Sequence, residues 1–595
     1  MLVGFDTEYS FRRVVDLGGG RTHADVTTLQ PVCACLVFDD GRELRLTEHY
    51  GQLQRVLDDP ENVFIVHGAH AELGFCRAVG LRFPNRYFDT LTMLLMVLHA
   101  SAFKLPGGFY RAASLGNLAS RFHIPFIGEG EKDEIREAIM RGEHAEKFGL
   151  QRVLEYCTDD ARTSLKAFGP LMADLKRHCG PTAERNLVEL YQPYTRLMAQ
   201  AASRGLRFDQ HAWSRLQEAA PRYREPRLEL MRSVGYDHDG EGLGSTGFTR
   251  MISNLGLAQE WPKTPTRKLS AKEEHLKEFR GLHPAINAAY ELRRFDSFMG
   301  QDIGSRVDLD GRLRCGILPL AQHTGRNSTV SPNLMGMPGE LRPLLLPDEG
   351  CVFLHFDFSQ QEPGIAGWIS GCVALLQDFA NGDVYLNLGR RLGLIRDDMT
   401  PEEQRRVRKT LLKALMLAIL YGKGIRSIAS DLGVPYQTAL AHLSAFQRAY
   451  RELFDYLKAY VSAGLERGWA ENAFGFRACF AAQPGVGHGH LARSCQNFPI
   501  QSAAATCFQL TGLYLDDLGL DIRLPIHDAY LLSVLDDRKA IAEARKRIVS
   551  ATANAVSQLF PGLMPRRDIE VLRRFAKDGK EDSLETMLAG LEAAS

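Results

Sequence analysis

Three apolar, strand-like runs in this chain each end in carboxylates. VGF at 3–5 leads into Asp6 and Glu8, CVFLHF at 351–356 into Asp357, and LPI at 524–526 into His527 and Asp528. Charge at the edge of a buried strand is costly unless a partner or a cation meets it. Hundreds of residues separate the first run from the other two, and single cores rarely grow past ~250–300 residues. The 595-residue chain therefore holds several domains, with at least two separate acidic centres.

Composition narrows the class without naming it. Hydrophobic content of 45% and charged content of 24% are those of a folded protein. The formal net charge is zero, so basic surface must come from local clusters such as Arg405, Arg406, Arg408, Lys409 and Lys413. Eleven cysteines with no CxxC pair read as reduced thiols, not as a disulfide framework. The chain opens on a strand-like segment with no signal-peptide pattern. Its most apolar stretch, 414–420, is too short to span a bilayer. These features predict a cytoplasmic protein with no membrane partner.

Along the chain, strand-like and helical patterns alternate over the first ~175 residues, predicting an α/β domain at 1–178. His178-Cys179-Gly180-Pro181 breaks the pattern. A largely helical region follows to about 300, interrupted by a Gly-rich piece at 240–247. A strand section then ends near Asp357, a helical block covers about 363–475, and strands return at 522–535.

The first acidic centre has a readable geometry. Side chains on a strand repeat every two residues, so Asp6 and Glu8 share a face. Two like charges held together call for a cation, and oxygen ligands suit Mg²⁺ or Mn²⁺. Downstream, Tyr156 and Asp160 lie one helical turn apart on one face. There a carboxylate can hold a metal while the phenol orients an attacking water. Strand-end acids on a solvated surface are the plain alternative.

The second centre joins Asp357 and Asp528, the latter at a hairpin tip. Two such carboxylates, brought together, are what two-metal phosphoryl transfer requires. Between them Thr400-Pro401-Glu402-Glu403 predicts a capped helix running from 401 to 421. Lys409, Lys413, Leu417 and Tyr421 recur every four residues, drifting ~40° per step. Two cations, an apolar platform and a tyrosine suit a nucleoside triphosphate laid along the helix. An amphipathic helix with a solvated basic end would also explain them.

Taken together, DFSQQE at 357–362, KxxxKxxxLxxxYG at 409–422 and PIHDA at 525–529 resemble motifs A, B and C of family A DNA polymerases. HTGRNSTVSPNL at 323–334 resembles that family's primer-template segment, and RSCQNFPIQ at 493–501 its template-strand segment. Residues 190–300 resemble the lead-in to the polymerase and its thumb. FDTE, YFDTL and YCTDDARTSL resemble its DEDDy 3′→5′ exonuclease domain. Nearly the whole chain is covered.

The resemblance implies an RNase H-like α/β exonuclease domain (1–178) followed by a right-hand α+β polymerase domain. The latter divides into lead-in and thumb (185–300), first palm part (301–362), fingers (363–480) and second palm part (481–595). It implies template-directed addition of dNTPs to a primer 3′-OH, with proofreading. The alternative is a 3′→5′ nuclease whose polymerase half only binds DNA. Two Mg²⁺ or Mn²⁺ ions per site would be held by Asp357 and Asp528, and by Asp6, Glu8, Glu72 and Asp160 with Tyr156 beside them. Lys409, Lys413, Leu417, Tyr421, Glu362, Gln360 and His527 would meet the nucleotide, with Lys413 catalytic. Arg326, Asn333, Arg493, Asn497 and Gln501 would meet primer-template DNA, and a single-stranded 3′ end would enter the exonuclease site. Glu362 would block a sugar 2′-OH, which argues against an RNA polymerase.

Several positions depart from the pattern. Gly68 and Glu72 stand where the family has Asn and Asp; Lys409 replaces Arg, Leu417 an aromatic, and Ala529 a Glu. Met335-Gly336 replaces a polar pair. No 5′-nuclease domain is seen. That short, monomeric form resembles bacteriophage replicative polymerases, implying phage replication proteins as partners and the host cytoplasm as location.

Overall fold

The computed structural model describes residues 1–18, 21–101, 112–127, 129–237, 246–264, 267–482, 487–576 and 582–593. Strand β1 (Leu2–Phe11) is the centre of a five-stranded sheet. On one side it pairs antiparallel with β2 (Leu29–Phe38), beyond which lies β3 (Glu43–Leu46). On the other it runs parallel to β4 (Val63–Val66), followed by β5 (Tyr87–Asp89). The resulting order β3-β2-β1-β4-β5, antiparallel then parallel, is the RNase H-like arrangement expected.

The sequence places Asp6 and Glu8 at the end of a strand, but β1 continues through both to Phe11. The reason charge is tolerated there is that pairing with β4 stops at Gly4. From Asp6 onward β1 has a ladder partner on the β2 side only. Helix α1 (His70–Ala78) follows β4, and α2 (Glu129–Met140) and α3 (Gly149–Cys179) follow further on. Gly4 lets α3 approach: a Cβ there would lie 2.2 Å from the Ala161 carbonyl oxygen. This close crossing brings Asp160 to Asp6. Helix α3 ends at Cys179, and Gly180 turns the chain with φ +85°.

The second large sheet is antiparallel, with β6 (Cys351–Phe358) between β8 (Ala529–Leu535) and β9 (Arg567–Leu572), and β7 (Asp521–Ile526) outside β8. The helix Gln210–Arg232 packs along Pro284–Met299, over a satellite core that includes Phe248 and Trp261. Of the Gly-rich piece, residues 240–245 lie outside the described residues, whereas Gly247 lies in the helix Thr246–Asn254. One buried cluster joins the helix Thr90–Ala100 and the end of α3 to Phe476, Phe480 and Phe498. Within it, burial pushes the His99 imidazole down to about 3, and its neutral ring meets the Leu320 carbonyl at 2.7 Å. Among the described residues, no helix is long and apolar enough to cross a membrane.

The helix expected over 401–421 is present but not uniform. Thr400 and Glu403 form the capping box, and α-helix runs over Pro401–Val407 and Lys413–Leu420, with a π-helical turn at Arg408–Leu412 between them. A π turn holds one residue more per hydrogen-bonded ring, so Lys409 and Lys413 line up differently from an ideal four-residue step. Such turns concentrate at functional sites. The sequence carries no local signal for it.

Candidate active sites

Ligand oxygens of Asp6, Glu8 and Asp160 all lie within 4.8 Å of one another. Glu72, from the first turn of α1, is 1% exposed. Asp6 Oδ2, Asp160 Oδ1 and Glu72 Oε2 are buried and have no hydrogen-bond partner among the described residues. Burial, and then the Asp160 charge, raises Asp6; burial, then Asp6, raises both Glu8 and Glu72. Deprotonating all of them requires a cation, so metal binding releases protons and tightens as pH rises. An all-oxygen donor set fits Mg²⁺ or Mn²⁺. Tyr156 is buried one turn before Asp160, and burial, then the Asp160 charge, raises its phenol far above the usual range.

Two features of this centre escaped the sequence reading. Lys132 of α2 donates to Asp160 Oδ2 at 2.8 Å. Only the tertiary approach of α2 to β1 puts it there. Asp89, in the YFDTL segment, is a structural cap, accepting from Gly68 N, Leu91 N and Thr92 Oγ1. Behind the acids, Cys33, Cys35 and Cys157 cluster among Val32, Ile135, Ile139 and Val153. Cys35 and Cys157 donate to the Leu154 and Asp6 carbonyls, as expected of apolar core thiols.

Glu72 is one methylene longer than the Asp that the motif expects, yet it is sequestered beside Asp6. Glu72→Ala is expected to slow digestion of single-stranded 3′ ends about 10–100-fold and leave primer extension unchanged. Quantifying both activities on the purified variant checks this.

In the second centre, strand register does the assembly. Asp357 of β6 pairs across from Ala529 of β8, and Phe358 N donates to the Asp528 carbonyl at 3.3 Å. The β7–β8 connection is a two-residue hairpin whose first residue, His527, has φ +56°, the positive φ that tight hairpins demand. Position 529, where the resemblance expects Glu, holds a fully buried Ala. Arg326, Gln361, His527 and Asp528 line one recess with Ala504 and Phe508.

Glu362, in the first turn of the helix after β6, is held tightly. Tyr421 donates to its two carboxylate oxygens at 3.2 and 3.0 Å, and Arg326 Nη2 donates to Oε1 at 2.8 Å. Burial and then Glu362 push the Tyr421 phenol up to about 12. Three residues chosen from three distant segments, Arg326, Glu362 and Tyr421, thus form one network. Arg493, Asn497 and Gln501 follow one another at four-residue steps on the helix His488–Asp517. Lys409 and Lys413 are exposed, and Leu417 is half-buried. Asn333 is exposed, its side chain accepting from Thr329 Oγ1 and Gly336 N.

Gln360 has a more structural position than expected. Its amide donates to Asp383 and accepts from Val384 N, and Arg408 Nε also reaches Asp383, at 2.6 Å. Its backbone is in the left-handed region at φ +56°. Asp383 was not identified from sequence and Arg408 only as part of a basic cluster, since only the fold ties them to Gln360.

Comparison with known proteins follows the same lines. The family model described as DNA polymerase family A matches residues 248–559, just over half of the chain. The chain belongs to DNA polymerase family A. It is 25% identical to DNA polymerase I of Deinococcus radiodurans over 415 residues, 66% of this chain and 42% of that protein. It is also 25% identical to the thermostable DNA polymerase I of Thermus filiformis, over 67% of this chain and 50% of that one. The chain thus spans half or less of the length of these relatives. In fold it resembles the POL domain of Pol1 from M. smegmatis, solved in complex with DNA primer-template and dNTP. The TM-score is 0.73 at 19% identity, with 96% of this chain and 95% of that chain covered.

Proposed function

We propose that this chain is a template-directed DNA polymerase with a separate 3′→5′ proofreading centre in its N-terminal domain. The observation that carries the polymerase reading is the β6–β8 register, which sets Asp357 beside Asp528 while Tyr421 and Arg326 clamp Glu362 nearby. Asp357 and Asp528 would hold the divalent ions, Mg²⁺ or Mn²⁺, that activate the primer 3′-OH and neutralise the triphosphate. Lys409 and Lys413 meet the phosphates, and Lys413 stands where charge builds on the leaving group. Leu417 and Tyr421 meet the sugar and base, and Glu362 closes the space a 2′-OH would need. Arg326, Asn333, Arg493, Asn497 and Gln501 line the path of primer and template.

In the N-terminal centre, Asp6, Glu8 and Asp160 would hold one ion and Glu72 would serve a second through Asp6. Tyr156 orients the water that attacks the terminal phosphodiester. The support is the buried carboxylate cluster with partnerless oxygens. Eleven free thiols fit action in a reducing cytoplasm. Incubating a recessed primer with four dNTPs and Mg²⁺ is expected to extend it to the template end; omitting dNTPs is expected to shorten it. Shortening without extension under any divalent ion would instead identify a nuclease whose second half only binds DNA.

Leu417 gives a specific test of the nucleotide's placement. In the family, a Tyr at this position offers a hydroxyl that replaces the missing 3′-OH of a dideoxynucleotide; Leu has no polar atom to do so. The wild-type protein is expected to discriminate against dideoxynucleotides, and Leu417→Tyr to relax this at least severalfold, as one hydrogen bond of ~0.5–1.5 kcal/mol implies. Chain-termination assays on both proteins decide it; equal termination would mean that Leu417 does not face the sugar.

A further inference from the structure

Lys132 is the one cation directed into the N-terminal carboxylate cluster among the described residues, and its surroundings are specific. Its ammonium lies 2.8 Å from Asp160 Oδ2, 4.3 Å from the centre of the Phe126 ring and 5.4 Å from that of Tyr156. The Lys132 side chain is 19% exposed and that of Asp160 8%, so this is not a solvated ion pair of negligible weight. The acids around it on α2 are engaged elsewhere, Glu131 with Arg152 and Asp133 with Arg136. Among the described charged side chains of α2, Lys132 alone turns inward, between two aromatic faces that favour a cation.

The division of labour on Asp160 is informative. Lys132 takes Oδ2, while Oδ1 is buried without a partner among the described residues, and an Asp160 oxygen lies within 4.8 Å of ligand oxygens of Asp6 and Glu8. A carboxylate crowded by the two others, Asp6 and Glu8, would otherwise rotate away. Held at one oxygen by the Lys132 ammonium, it presents the other to the cluster. We propose that Lys132 is a positioning residue of this centre. It locks Asp160 in its metal-facing orientation and sets its ammonium beside the Tyr156 phenol, where the phosphodiester would be attacked. This rests on the nuclease reading of the N-terminal domain.

The proposal makes two effects move in opposite directions. Removing the lysine charge leaves the three carboxylates of Asp6, Glu8 and Asp160 uncompensated, which strengthens their attraction for a divalent ion. At the same time Asp160 loses its fixed orientation, and the water and phosphate lose a nearby cation, so hydrolysis slows. Loss of local structure would weaken both together.

The test uses the full chain carrying Asp357→Ala and Asp528→Ala, so that Mn²⁺ binding reports on the N-terminal centre. Mn²⁺ affinity is measured by titration calorimetry, and digestion of a single-stranded 3′ end at saturating Mn²⁺. Lys132→Met is expected to bind Mn²⁺ severalfold more tightly and digest at least about tenfold more slowly. Lys132→Arg, which keeps the charge, is expected to return both values toward the parent. Unchanged digestion, equal or weaker Mn²⁺ binding by Lys132→Met, or an Arg variant no better than Met would overturn the assignment. Failure of the nuclease reading is separately recognisable. The parent would then not digest at any Mn²⁺ concentration, and Asp6→Ala would leave its Mn²⁺ binding unchanged. That result would remove the role of Lys132 as well.

Discussion

Asp357→Ala or Asp528→Ala is expected to lower primer extension by about 10³-fold or more, while digestion of single-stranded 3′ ends continues. Asp357 sits on β6 and Asp528 at the tip of the hairpin leading into the adjacent β8, joined through the Phe358 N to Asp528 O bond, and position 529 offers no carboxylate of its own, being Ala. A loss of 10³ corresponds to ~4 kcal/mol of transition-state stabilisation, reasonable for half of a two-metal carboxylate pair. Asp6→Ala is expected to do the reverse, abolishing digestion and sparing extension, because its cluster is built on a different sheet. Gel assays of extension and digestion on all three variants check this. Loss of both activities from either mutant, with the fold intact, would contradict two independent centres.

The second large effect is expected from Glu362→Ala. Its carboxylate accepts from Tyr421 and Arg326, so its position is fixed by both the helix 413–420 and the segment at 323–334. A carboxylate held this firmly cannot swing aside for a ribose 2′-OH, and its charge repels the hydroxyl oxygen. Truncation opens that space and leaves the Tyr421 hydroxyl and Arg326 available to the added hydroxyl. The rNTP to dNTP ratio of kcat/KM is expected to rise about 10²-fold, the scale at which a pocket rejects or accepts one hydroxyl. Steady-state kinetics with a matched rNTP and dNTP measure it. An unaltered ratio would remove Glu362 from the sugar's surroundings.

What could be read from sequence was local. Alternation in β1 put Asp6 and Glu8 on one face, four-residue spacing put Tyr156 beside Asp160, and an apolar run broken by His-Asp marked a hairpin tip. Each follows from a single element's periodicity. What could not be read depends on how elements approach one another. Gly4 looks like any strand glycine until α3 crosses it at Ala161. Lys132 looks like a solvated residue on an acidic helix until α2 turns it toward Asp160. The π turn at 408–412 and the bond of Gln360 to Asp383 likewise answer to packing between helices, which leaves no periodic trace. The extent of β1 was misjudged for the same reason, since whether a strand can carry two acids depends on where its neighbour stops.

The central claim is that Asp357 and Asp528 serve chemistry directed by a template. It is tested most directly by single-nucleotide addition to a primer set against each of the four template bases in turn, with Mg²⁺ and one dNTP at a time. The Asp6→Ala variant keeps digestion from masking addition. The account expects rapid addition of the complementary dNTP in each case, slow addition of the other three, and none when Asp357→Ala is also present. Addition that ignores the template base, or that survives the loss of Asp357, would contradict it.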